Sequence, residues 1–179
     1  MKEQRCFETD RLYIRYLRES DDEEMYKNFW GSRYVYRYLP WKKCENEREA
    51  RERIKILIRN YAIQNKYCWG IEYKPISEVV GMIWFVNYDS EQKKIEVGYC
   101  LGKKFWNKGI MTEALAITSK YLLEIEDNIK KIHTTHDLIN PASGRILEKS
   151  GYKKVKQAMR YSLSLEKEVM TGFYELAKE

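Results

Sequence analysis

Apolar side chains recur along this chain with two different periods, and the changes of period mark its elements. Residues 11–17, "RLYIRYL", alternate roughly between apolar and polar, as a half-buried strand does. Ser20 followed three residues later by Glu23 has the form of a capping box. A short helix is therefore expected from there to Phe29 or Trp30. "GSRYVYRYLPWKKC" has no period and reads as a loop rich in aromatic and basic groups. Asn46 and Glu49 repeat the capping logic. Ala50, Ile54, Leu57, Ile58 and Tyr61 then share one helical face, which predicts a helix over 47–63.

Strand patterns follow at 67–73, 79–88 and 93–101, with a turn at Pro75 and the short polar link "DSEQ" between the last two. Leu115, Ile117, Leu122 and Ile125 predict a helix over 110–125 packed on a sheet. "KIHTTHD" at 131–137 is a strand, and "NPASGRILEKSGY" is a short helix stopped by Gly151. Two more strand-like segments lie near 153–158 and 171–176. The strand–helix–strand run from Ile95 to Asp137 is a βαβ crossover, which requires a parallel pair. The hairpins on either side require antiparallel pairs. The class is α/β, with a mixed sheet.

Composition narrows this. At 179 residues the simplest organisation is one domain over 1–179, large enough for a sizeable core. Hydrophobic residues are 44% and charged residues 34%, as expected for a soluble globular protein. The net charge of +6 suits an anionic ligand or a nucleic acid without fixing either. Because the excess is spread over many lysines, nucleic acid is the less favoured partner. Cys6, Cys44, Cys68 and Cys100 form no C-x-x-C pair and show no zinc-ligand spacing, so four reduced thiols are expected. The first residues carry no apolar signal region, and no run approaches membrane-spanning length. A cytoplasmic location without a membrane anchor follows as the expectation.

The junction "FWNKGIMTEAL" passes from a strand into a helix. A helix N-terminus leaves backbone N–H groups unpaired and partly positive, and Gly109 lets the backbone approach a ligand. With Lys103, Lys104 and Lys108 these are the parts of an anion site; they equally suit a plain loop with solvated lysines. Two phosphate motifs are excluded. The order Lys108-Gly109-Ile110 is not a Walker loop, and Gly98, Gly102 and Gly109 lack dinucleotide-binding spacing.

"IEVGYCLGKKFWNKGIMTEAL" followed by "NPASGRILEKSGY" resembles the GNAT superfamily of acyl-CoA N-acyltransferases. With "ETDRLYIRYL" near the start, it most resembles the branch of ribosomal-protein alanine N-acetyltransferases. These elements match in order from Glu8 to Tyr152. The resemblance implies a mostly antiparallel sheet with a V-shaped splay between the strands at 95–101 and 131–137. Acetyl-CoA would be the co-substrate, without a metal. Its pyrophosphate would meet the amides of Asn107, Lys108, Gly109, Ile110, Met111 and Thr112. Its pantetheine arm would run along Tyr99, Cys100 and Leu101, with Asn140 and Ser143 beside the arm and the thiol. Trp106 and Met111 depart from the superfamily pattern, and Met111 would narrow the pocket. Leu147 stands where some relatives carry a proton-donating tyrosine and cannot act as one.

Amine acetylation needs a neutral amine. Glu96 interrupts an apolar strand and is the candidate base, against the reading that it only pairs with Lys93 or Lys94 at the surface. Ser143 either protonates the leaving thiolate or caps its helix. His133 and His136 are three apart in a strand and face opposite ways, so they cannot easily share a metal; His136 remains a candidate substrate contact. Trp30, Tyr34 and Tyr38 are candidate acceptor contacts, although the segment could equally be a cover for the core, and its basic–aromatic mixture also suits single-stranded nucleic acid. The expected function is N-acetylation of a primary amine, on a protein N-terminus or a small molecule, by a monomer or homodimer. The alternative is a non-catalytic acyl-CoA- or RNA-binding protein on the same fold.

Overall fold

A computed structural model describes residues 5–64 and 67–178. Among the described residues eight strands form one sheet in the order β1-β2-β3-β4-β5-β6-β8-β7. They are β1 (Phe7–Glu8), β2 (Leu12–Tyr16), β3 (Tyr67–Tyr73), β4 (Glu78–Asp89), β5 (Lys94–Leu101), β6 (Lys131–Asp137), β7 (Lys153–Ser162) and β8 (Lys167–Ala177). Every pairing is antiparallel except β5 with β6. The helices are α1 (Asp22–Met25), α2 (Arg33–Tyr36), α3 (Glu47–Gln64), α4 (Ile110–Ile125) and α5 (Pro141–Lys149). This is the mixed, mostly antiparallel α/β sheet with a βαβ crossover that the sequence predicts.

Alternation along the strands divides the core in two. Ile95, Val97 and Leu101 of β5 join Leu115 and Leu122 of α4 and Leu147 of α5 on one face. Cys100 of β5 joins Met82 and Trp84 of β4 with Met25, Phe29 and Ile54 on the other. Side chains alternate across a sheet, so Glu96 and Gly98 look toward the α1–α3 side and Tyr99 toward α4 and α5.

The splay is explicit in the register. Pairing of β5 with β6 covers Lys94↔Lys131, Ile95↔Ile132 and Glu96↔His133, and stops there. β4 nevertheless holds β5 as far as Leu101, and β8 holds β6 as far as Asp137. Residues 97–101 and 134–137 therefore form the two arms of a fork whose vertex is Glu96 and His133.

Several local expectations change. Ser20 is not the cap. Arg15 grips the buried Asp21 carboxylate with two hydrogen bonds of 2.9 Å, and Asp21 also accepts the Arg18 amide at 2.8 Å. The turn consequently starts earlier, as a 3-10 turn over Glu19–Asp21. The chain continues through α1 into a π-helical turn, Tyr26–Trp30. At α3 the Asn46 side chain accepts the Glu49 amide, but the Glu49 carboxylate reaches Glu45 rather than Asn46. The aromatic stretch read as loop contains the single turn α2, and β7 and β8 form a hairpin longer than their apolar pattern suggests.

Candidate active site

The β5–α4 junction opens beyond the upper end of the fork. Gly109 is the N-cap of α4 with φ 72°, a left-handed conformation that a side chain disfavours. Asn107, at φ 60°, shares that region. Among the described residues no acceptor meets the amides from 107 to 112. Ile110 and Met111 turn their side chains into the core, where both are buried. Met111 therefore does not narrow a pocket: its amide stays at the helix start while its thioether packs beneath.

Two side chains fix this loop. The Trp106 indole N–H donates to the Leu101 carbonyl at 2.7 Å, so that carbonyl is already engaged. Arg11, at the entry to β2, donates from Nη1 to the Lys108 carbonyl at 2.8 Å and from Nε to Glu113 at 2.8 Å. Its Nη2 lies 2.7 Å from the same Glu113 oxygen. Sequence reading missed Arg11. The only hint is that "TDRL" and "MTEAL" both belong to the family pattern.

At the vertex, Glu96 accepts a 2.7 Å hydrogen bond from the Asn87 amide. Asn87 is presented by an irregularity in β4, at φ 53°. Glu96 is not tied up by Lys94, whose ammonium faces Glu175 at 3.5 Å. His133 stands opposite Glu96 in register. Burial, aided by Lys94, lowers its pKa from the ordinary value, although the nearby carboxylates, Glu96 first, pull the other way.

On the same face Trp84 lies over Gly98, where a Cβ would come within 2.3 Å of the indole. Trp41 packs against Trp84 with centroids 4.9 Å apart and remains 37% exposed. Tyr34 is exposed, with the Lys103 ammonium 3.6 Å from its ring centroid. Tyr38 is half-buried beside Arg37. Trp30, in contrast, is core, buried under α3 with Arg53 over its ring. Trp41 and Trp84 thus form an aromatic pair on the Glu96 face of the sheet, and neither was among the residues singled out from the sequence as acceptor contacts.

On the opposite face Ser143 does not cap α5. Its Oγ is 2.7 Å from the Tyr99 hydroxyl, which joins β5 to α5. Asn140 is the N-cap of α5, and its side chain makes no capping bond. His136 is buried beneath α5 against Gly144, and its Nδ1 meets the Asp137 carbonyl at 3.0 Å. Burial lowers its pKa. It faces away from Glu96, Trp84 and Trp41. Cys100 is buried on the α3 side, and burial pushes its thiol far up. No group of three or more metal-ligating side chains occurs among the described residues, and no helix among them is long and apolar enough to cross a membrane.

The family model for the acetyltransferase (GNAT) domain matches residues 11–153. The chain belongs to the GNAT acetyltransferase family. It is an acyl-CoA-dependent N-acetyltransferase. This GNAT chain is 26% identical over 171 residues to the uncharacterized N-acetyltransferase YoaA of Bacillus subtilis, covering 96% of each. Its fold matches a ribosomal-protein-S5-alanine acetyltransferase from Vibrio fischeri with a TM-score of 0.85 at 17% identity, over 98% of both chains. It also matches spermidine N-acetyltransferase from Vibrio cholerae, solved with CoA and spermine, with a TM-score of 0.78 at 14% identity, over 95% of this chain and 97% of that one.

Proposed function

We propose that this GNAT enzyme moves the acetyl group of acetyl-CoA onto a protein N-terminal α-amine by direct attack in a ternary complex. One observation carries the reading: the β5–β6 ladder ends at Glu96↔His133, and the fork it opens leads to acceptor-free amides at the start of α4. The pyrophosphate fits those amides from 107 to 112, because they carry the partial positive charge of the helix end. The arm fits the unpaired edge of residues 97–101, as an added strand would. Asn140 and Ser143 flank it from α5.

Glu96 then takes the proton of the attacking amine, directly or through one water. The amine nitrogen forms the C–N bond, and the C–S pair leaves on sulphur, toward which Ser143 offers its hydroxyl. A backbone N–H in 99–101 meets the carbonyl oxygen as it gains charge. An α-amine suits a lone carboxylate base. At pH 7 about one in six such amines is neutral, against about one in 2,500 lysines. Tyr34, Tyr38, Trp41 and Trp84 line the acceptor side. Trp30 and His136 are buried and have no part there.

A small-molecule amine is the second reading. The exposed Trp41 beside Trp84 offers a ring face to a cation near Glu96, and the same fold serves the spermidine enzyme. A screen of peptides and small amines with acetyl-CoA and a free-thiol readout decides between them. Turnover confined to peptides with a free N-terminus supports the first reading, and turnover confined to small amines supports the second. Acetyl-CoA binding without thiol release on any acceptor would count against both.

A further inference from the structure

The Tyr99–Ser143 pair has more in it than a packing contact. Tyr99 stands on the arm of β5 that has parted from β6, and Ser143 stands in the first turn of α5. The tyrosine oxygen is 2.7 Å from Ser143 Oγ and 3.2 Å from the Ser143 carbonyl. Two arrangements of hydrogens satisfy these distances. In one, Tyr99 donates to the carbonyl and Ser143 donates to Tyr99, so the serine proton is used up. In the other, Tyr99 donates to Ser143 Oγ, and the serine proton is free to point elsewhere. A negative charge beside Ser143 favours the second, because only then can the serine O–H face that charge.

We infer that Tyr99 is the positioning residue for Ser143, turning its hydroxyl hydrogen toward the leaving sulphur of coenzyme A. Burial raises the Tyr99 pKa well above the usual phenol range. Tyr99 therefore keeps its own proton, which it can donate to Ser143 Oγ at 2.7 Å. This explains how an enzyme with Leu147 where some relatives carry a tyrosine still supports its leaving group. Leu147 is fully buried in the core, while the hydroxyl offered to the fork is that of Ser143, one turn earlier on α5 and held by Tyr99 from β5. The inference rests on the cofactor reading above.

Coenzyme A itself is the probe, so no acceptor need be known. The acidity of its bound thiol is titrated by the ultraviolet absorbance of the thiolate, in wild type, Ser143→Ala, Tyr99→Phe and the double variant. Ser143→Ala should raise the thiol pKa by about one unit, a tenfold change in acid constant. Tyr99→Phe should raise it by a similar amount, and the double variant by no more than Ser143→Ala alone, because coupled residues are not additive. Ser143→Thr, which keeps the hydroxyl, should stay near wild type. An unchanged pKa in Tyr99→Phe, or shifts that add in the double variant, would overturn the inference. Melting curves with coenzyme A separate the two failures. No rise in wild type overturns the cofactor reading and this inference with it, whereas a normal rise with no Tyr99 effect overturns the inference alone. A purely structural Tyr99 would lower the melting midpoint and leave the thiol acidity where it was.

Discussion

Arg11 and Glu113 meet across 102 residues of chain: the guanidinium Nε and Nη2 lie 2.8 and 2.7 Å from one Glu113 oxygen. Glu113 sits in the first turn of α4 and Arg11 at the entry to β2. The third bond, to the Lys108 carbonyl, fixes the residue just before the left-handed Gly109. The entry to β2 thereby holds the loop at the start of α4 in shape.

Arg11→Gln should weaken acetyl-CoA binding about three- to tenfold, read by titration calorimetry. Arg11 is 39% exposed, so the loss of stability should stay within the ~1 kcal/mol typical of solvent-screened ion pairs. A variant that loses stability but binds acetyl-CoA normally would show that Arg11 only joins β2 to α4.

Gly109→Ala meets a different obstacle. The residue must hold φ 72°, which costs an alanine about 1–2 kcal/mol, and the new Cβ would lie 3.3 Å from Arg11 Nη2. Affinity for acetyl-CoA should fall by about tenfold or more. Replacing Gly151, whose φ is 89° but which lies after α5, should lower stability comparably and leave affinity unchanged. Equal effects of the two substitutions on affinity would refute the special place of Gly109.

Gly98→Ala should injure acceptor use rather than cofactor binding. Its Cβ would fall 2.3 Å from the Trp84 ring, so Trp84, and Trp41 against it, must move. Overpacking of this kind costs about 1–3 kcal/mol. The acceptor KM should rise several-fold with the acetyl-CoA KM unchanged, as steady-state kinetics with the best acceptor of the screen will show.

Stability should fall in mild acid. His133 and His136 both have pKa values lowered by burial, so the native state resists protonation while the unfolded chain accepts it near pH 6.5. Their contribution is intact above that pH and is lost as pH falls through their lower native values. His136→Asn should flatten part of the decline in melting midpoint with pH. An unchanged slope would place the acid sensitivity elsewhere.

Several segments were legible from the sequence: the bounds of β3, α4 and β6 agree with those expected, because α4 buries one helical face on the sheet and the strands carry Trp69, Ile71 and Ile132 into the core. Two-residue β1 was not legible, since nothing but pairing with β2 makes it a strand. Neither was α2, one turn inside a stretch where every second residue is aromatic. That stretch also hid which aromatics face inward, so Trp30 read as a candidate acceptor contact and is core, while Trp41 stays partly exposed against the buried Trp84. The junction glycine was readable from local chemistry. Arg11 was not, because a contact over 102 residues leaves no trace in local spacing. Tyr99 was read for its backbone, and its hydroxyl became visible only when α5 was placed above β5.

Glu96→Gln should lower turnover about 10²-fold or more at neutral pH while acetyl-CoA affinity is kept, and the loss should shrink as pH rises and more of the amine is already neutral. Equal turnover in both proteins would remove Glu96 from the mechanism.

The most direct test of the central claim, that the fork and the start of α4 hold acetyl-CoA, is the melting midpoint of the full chain with and without it. At a hundredfold excess over Kd the ligand adds about 2.7 kcal/mol, which for a chain of this size raises the midpoint by about 5–10 °C. That rise, reduced in Gly109→Ala, is the predicted result. An unchanged midpoint at millimolar acetyl-CoA would contradict the account.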